Sequence, residues 1–193
     1  MKPDRGVEEP KAGRTVRGLR LPVVAAPMLL ISGVDLVVSA CSAGVVGAFP
    51  APNCRTTDEL DQWMGTINDL LQARKATGRR VAPWAVNMVT HRSNQRLADD
   101  LSLLASHRPP VVITALGSPA PVMEVVKDCG GLVIAEVVDL RLARKAVPLG
   151  VDGLACVSAG AGGHTGKLSP FAFVAAVREV FDGLVVVGGG IST

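Results

Sequence analysis

Gly153-Leu154-Ala155-Cys156-Val157-Ser158-Ala159-Gly160-Ala161-Gly162-Gly163-His164-Thr165-Gly166 joins two kinds of sequence back to back. The first five residues are small or apolar and have no polar alternate face, the pattern of a strand buried on both sides. The next nine contain four glycines and a histidine. Glycines there let the backbone come close to a flat or anionic ligand and present its N–H groups. Beyond the loop, Ser169 can cap a helix whose first position is Pro170 and which runs to about residue 181. One buried strand, one glycine loop and one helix make a unit, and the fold follows from how often the unit recurs.

Similar Val-, Ile- and Leu-rich runs occupy residues 21–26, 45–49, 84–89, 111–116, 132–138 and 184–187. Amphipathic segments separate them. Residues 58–73 place Leu60, Trp63, Met64, Ile67, Leu70 and Leu71 on one helical face, with Thr57 or Asp58 as the cap. Residues 95–105 repeat the pattern with Leu97, Leu101 and Leu104, and 121–128 and 140–146 are shorter versions. The uncharged stretch 36–54 contains Gly44, Gly47, Pro50 and Pro52, and reads as a buried helix followed by a buried strand rather than a membrane span.

Strands alternating with helices give a parallel α/β architecture. A strand spacing of roughly 27 residues suits a TIM-type (β/α)₈ barrel. The rival is a doubly wound open sheet, whose GxGxxG after the first strand is replaced here by Pro27-Met28-Leu29-Leu30-Ile31-Ser32-Gly33. Seven strands can be counted, so the expectation is a barrel lacking its last strand–helix unit in this chain. Residues 1–18 form a polar N-terminal extension, and 19–193 the C-terminally incomplete barrel.

Composition narrows the function. With 19% charged residues and 48% hydrophobic ones, the 193-residue chain is too apolar to be disordered. The net charge of +3 is scattered and not interleaved with aromatics, which argues against nucleic acid as a partner. Cys41, Cys54, Cys129 and Cys156 show no CxxC pairing, so neither a metal site nor a disulfide framework is expected, and a reducing, cytoplasmic setting fits. The charged N-terminus is not a secretory signal. HExxH, GxSxG and P-loop motifs are absent.

In (β/α)₈ barrels, chemistry collects in the loops after the strands. His164, in the loop after the sixth strand, can exchange protons near neutral pH. Gly188-Gly189-Gly190-Ile191, after the seventh, suits a phosphate held by backbone N–H groups. Asn87 ends the third strand with a carboxamide that can both donate and accept hydrogen bonds. His91 and His107 lie among polar residues and read as solvated, while Cys156 reads as inert core.

Ala25-Ala26-Pro27-Met28, Asn87, Ala161-Gly162-Gly163-His164-Thr165-Gly166 and Gly188-Gly189-Gly190-Ile191, in this order, resemble the nitronate monooxygenases, formerly 2-nitropropane dioxygenases. The related FMN-dependent enoyl-acyl-carrier-protein reductases share the pattern, and the resemblance runs from about residue 19 to the last. It implies FMN as cofactor. Backbone near Ala26, Pro27 and Met28, with the Asn87 side chain, would meet the isoalloxazine or ribityl parts. Gly162, Gly163, Gly188, Gly189 and Gly190 would lie by the ribityl chain and phosphate, and Ser158 and Glu136 would stand beside the cofactor. Some members carry a lysine where Glu136 stands. The family's Gly-Thr phosphate loop after an eighth strand has no counterpart in this sequence.

The activity so implied is oxidation of nitronates or nitroalkanes with O₂, with His164 as general base. An FMN-dependent NAD(P)H reductase of a quinone or enoyl thioester is the alternative, and a non-catalytic truncated barrel subunit a third. Partners would be small molecules, with no membrane, and a homo-oligomer is compatible with all three.

Overall fold

A computed structural model describes residues 11–190. Its sheet has seven strands: β1 (Val24–Ala25), β2 (Val46–Pro50), β3 (Trp84–Val89), β4 (Val111–Ala115), β5 (Leu132–Val137), β6 (Gly153–Val157) and β7 (Leu184–Gly188). All pairings are parallel, and the order is β1-β2-β3-β4-β5-β6-β7 without a reversal. A doubly wound sheet reverses its strand order to place helices on both faces. An unreversed order with right-handed crossovers keeps them on one face and curls the sheet into a TIM-type barrel wall.

Burial follows from that geometry. Alternate strand residues point to opposite faces. One set, including Phe49, Trp84, Val86, Val112, Val133, Leu154 and Cys156, packs against the surrounding helices. Those are α2 (Val34–Ala43), α3 (Thr57–Ala76), α4 (Leu97–His107), α5 (Ala120–Asp128), α6 (Leu140–Ala146) and α7 (Pro170–Arg178). The other set, Val46, Ala48, Ala85, Val111, Ile113, Leu132 and Ile134, forms a separate inner cluster bordered by Val24, Ala155, Leu184 and Val186. That inner layer is the packed interior of the barrel wall. Residues 36–54 are part of α2 followed by fully buried β2, and no helix among the described residues is long and apolar enough to cross a membrane.

The N-terminal segment carries a helix the composition does not reveal: α1 (Lys11–Arg17), whose Ala12 joins the inner cluster. The same cluster holds Val111 and Leu132, the first residues of β4 and β5, at the end of the strands away from the loops discussed below.

Several boundaries differ from the sequence reading. The first run, 21–26, contributes only a two-residue strand, and Leu21 and Val23 are exposed. Among the described residues β1 pairs with β2 alone, and Pro22 offers no N–H. In α3 the cap is Thr56, not Thr57 or Asp58: its hydroxyl accepts from the Glu59 N–H at 3.1 Å, while Glu59 Oε2 accepts from the Arg55 N–H at 2.7 Å. Leu60, Met64, Ile67 and Leu71 are buried, whereas Leu70 faces solvent because a stripe centred on Ile67 and Leu71 turns it outward. Ser169 holds the N-cap position of α7 without a side-chain bond, and the helix ends at Arg178 instead of near 181. Arg178 Nη1 reaches forward to the carbonyls of Phe181 (3.4 Å) and Gly183 (2.6 Å), which fixes the chain leaving the helix.

Candidate functional site at the ends of the strands

Four of the sequence-selected residues lie where the inner face of the sheet meets the loops. Asn87 and Glu136 share strand parity with the inner residues Ala85 and Ile134, and Gly188 shares it with Val186. Ala26 directly follows β1. Asn87 is buried, and its Nδ2 donates to the Ile113 carbonyl at 3.3 Å. Glu136 is half-buried. Burial pushes its carboxyl above the ordinary carboxylate range, and the charge of His164 draws it back down. The end of β5 and the loop after β6 therefore bring Glu136 and His164 within electrostatic reach.

The loop after β1 is pinned by two polar residues. Ser32 Oγ donates to the Ala26 carbonyl and accepts from the Met28 N–H, both at 3.0 Å. Asn53, in the turn after β2, accepts the Leu30 N–H at 2.8 Å and donates to the carbonyls of Ser32 (2.8 Å) and Met28 (3.2 Å). Pro27 is half-buried and Met28 exposed on this fixed loop. Sequence reasoning passed over Ser32 and Asn53. The available signal was their polarity in loops that follow strands of a barrel.

The loops after β6 and β7 are built on each other. The Ser158 N–H donates to the Gly188 carbonyl at 2.7 Å, and the Ser158 carbonyl accepts from Thr165 Oγ1 at 3.1 Å. Ser158 itself is fully buried, and its hydroxyl lies 3.5 Å from the Cys156 carbonyl, so its backbone is the hub of the turn. Gly189 has φ +98°, and a Cβ on it would meet Ala161 N and Ser158 O, both at 2.7 Å. Gly190 has φ +67°, and its Cβ would meet the Ala159 carbonyl at 2.8 Å. These two glycines are explained by the contact between the loops.

Gly162, Gly163 and Gly188 are different. A Cβ on any of them would meet nothing within 4 Å, and all three are exposed. Nothing within the described chain demands glycine there, and all three present unobstructed backbone at the end of β7 and in the loop after β6. His164 is exposed at the tip of this loop. Ile191, the last residue of the GGGI motif, lies outside the described residues.

The remaining titratable groups separate from this site. His91 is exposed, with Nδ1 2.8 Å from Ser93 Oγ. His107 is not simply solvated: its Nε2 lies 2.6 Å from Asp61 Oδ1 and its side chain is only 18% exposed, because α3 and α4 pack together there. Cys156 is buried and its thiol is pushed up to about 11, which keeps it from acting as a thiolate near neutral pH. The four cysteines are free. Among the described residues, no group of three or more His, Cys, Asp or Glu is placed to hold a metal ion.

No protein-family model and no curated protein matches this sequence. The fold does have counterparts among solved structures. FabK from Thermotoga maritima superposes with a TM-score of 0.76 at 22% identity, covering 92% of this chain and 54% of that one. A nitroalkane oxidase from Streptomyces ansochromogenes gives 0.75 at 23% identity, covering 91% and 60%. A thiamine phosphate pyrophosphorylase from Pyrococcus furiosus is more distant, at 0.59 and 20%. This chain thus spans a little over half the length of FabK and of the nitroalkane oxidase, and what it shares with both is the barrel fold.

Proposed function

We propose that this chain carries the flavin-binding part of an FMN-dependent oxidoreductase acting on nitronates or nitroalkanes. The observation that carries the proposal is the unobstructed backbone at Gly162, Gly163 and Gly188, at the same end of the sheet as Asn87 and His164. A planar cofactor with a phosphate tail needs that combination: backbone N–H groups without side chains around the phosphate and ribityl chain, and a fixed amide near the ring. Asn87 suits the second task, because its amide is held on the inner face by the Ile113 carbonyl. The loop of Ala26, Pro27 and Met28, fixed by Ser32 and Asn53, gives the ring a rigid backbone edge. FMN, when bound, supplies the electron-accepting chemistry.

The protein's own part is proton handling and positioning. His164 is exposed at the site and belongs to a residue type that gains and loses a proton near neutral pH. In this reading it takes the proton α to the nitro group of a neutral nitroalkane. Glu136, half-buried beside it, stabilises the imidazolium that results. General-base assistance of this kind contributes on the order of 10²–10⁴-fold. The test is His164→Ala in flavin-loaded protein. Turnover of a neutral nitroalkane should fall on that scale while a preformed nitronate keeps most of its rate, and unchanged nitroalkane turnover removes His164 from the role.

The likeness to FabK favours a second reading, reduction by NAD(P)H of a quinone or enoyl thioester. Anaerobic addition of NADPH to flavin-loaded protein separates the two. Rapid loss of flavin absorbance selects the reductase, and an unchanged spectrum selects the oxidase.

A further inference from the structure

The turn after β1 is held in a way its own side chains do not explain. Leu30 has φ +63°, the left-handed region that leucine rarely adopts, and its side chain is 84% exposed. Leu29 and Ile31 on either side are exposed as well, so no side chain of residues 29–31 is buried to anchor the turn. A backbone strained in this way persists only where its surroundings over-determine it. Here the determinant is polar: the bonds of Asn53 to Leu30, Met28 and Ser32.

Asn53 closes a single 3₁₀ turn (Ala51–Asn53), and the residue after it is gripped from another part of the chain. The Cys54 carbonyl accepts from Arg96 Nη1 at 2.7 Å, across 42 residues of sequence. Arg96 holds the N-cap position of α4. Its Nη2 lies 3.3 Å from Oδ1 of Asp100, which sits in the first turn of α4 and is only 1% exposed. Burial raises the Asp100 carboxyl, while Arg96 and Asn94 favour its charged form. Asn94 Oδ1 also accepts the Arg96 N–H at 3.1 Å, and its Nδ2 donates to the Val89 carbonyl at the end of β3 (2.9 Å). One side of the guanidinium is therefore fixed by α4, and the other reaches the turn after β2. A buried carboxyl is costly on its own. Its partner accounts for it: Asp100 aims the planar fork of Arg96 at Cys54, which a single-point cation could not do.

We propose that Arg96, braced by Asp100, is a positioning residue for the backbone edge of Ala26, Pro27 and Met28, acting through Cys54 and Asn53. Its purpose rests on the reading of that edge as a flavin contact, but the brace itself can be measured without flavin.

Amide exchange followed by NMR on the full chain, with no flavin added, tests the brace. Arg96→Lys keeps a cation opposite Asp100 but cannot fork between Asp100 and the Cys54 carbonyl. In it the Leu30 amide should exchange about tenfold faster, the scale of one charge-assisted hydrogen bond. The Val133 amide, which donates to Asp152 at 2.7 Å, should keep its rate. Should Arg96→Lys fail to fold, Asp100→Asn, which keeps the side chain's shape and removes its charge, should accelerate Leu30 in the same direction. In an Asn53→Ala background, where Leu30 already lacks its acceptor, Arg96→Lys should add nothing. FMN titration of Arg96→Lys should then give an affinity weaker by about threefold or more, with the absorption maximum of the bound flavin displaced. The brace is overturned by an unchanged Leu30 rate, by equal acceleration of Leu30 and Val133, or by full additivity with Asn53→Ala. FMN binding identical to the parent in affinity and spectrum overturns the positioning role. A parent protein that takes up no FMN overturns instead the flavin reading, and the exchange rates still decide the brace.

Discussion

Glu136, at the end of β5, and His164, in the loop after the neighbouring β6, interact electrostatically: burial lifts the Glu136 carboxyl above the ordinary carboxylate range, and the charge of His164 lowers it. Removing that charge with His164→Gln should raise the Glu136 value further. Carbon-13 NMR titration of the Glu136 carboxyl measures this directly, and a titration that does not move upward breaks the coupling.

The same shift has a consequence for stability. A carboxyl whose folded value is raised contributes stability in full below the unfolded value, and loses it as pH rises through the folded one. Glu136→Gln should therefore make the protein more stable than the parent at neutral pH and leave the difference near zero in acid. Urea unfolding at the two pH values checks the sign.

Asn53→Ala removes three hydrogen bonds to the loop after β1 at once. Leaving those backbone groups without the side chain should cost about 1–3 kcal/mol. The Leu30 amide, which donates to Asn53, should exchange with solvent markedly faster, as hydrogen-exchange mass spectrometry would report.

The glycines after β7 divide into two kinds that mutation can separate. Gly189→Ala forces a side chain into φ +98° and against the Ser158 carbonyl, so it should destabilise by at least about 2 kcal/mol. Gly188→Ala meets nothing and should leave stability within about 0.5 kcal/mol. Only Gly188→Ala should weaken FMN binding without weakening the fold, as fluorescence titration beside thermal unfolding would reveal.

How much of this was legible in the sequence depends on the range of the interactions involved. β3 and β6 match the sequence reading residue for residue, because a continuous apolar run between polar breaks is a local signal. The barrel followed from repetition of the unit. β1 was overread, since an apolar run at a sheet edge need not be all strand: Leu21 and Val23 remain exposed. Asn53 was missed because its partners lie 21 to 25 residues away and meet it only once β1 and β2 pair. The burial of Asp100 in α4 was not foreseen, because helical periodicity identifies apolar stripes and does not flag a carboxyl lying within one. The glycine loops were visible as composition. Only the backbone showed that Gly189 and Gly190 serve the loop contact, whereas Gly162, Gly163 and Gly188 are left open.

The proposed flavin would sit at this end of the barrel. The most direct measurement is the near-ultraviolet and visible absorption spectrum of the purified protein, with the released ligand identified by mass. A yellow protein is expected, or a colourless one that takes up FMN stoichiometrically and gives it up in Gly188→Ala. A protein that is colourless and binds no FMN at any concentration tried would contradict it.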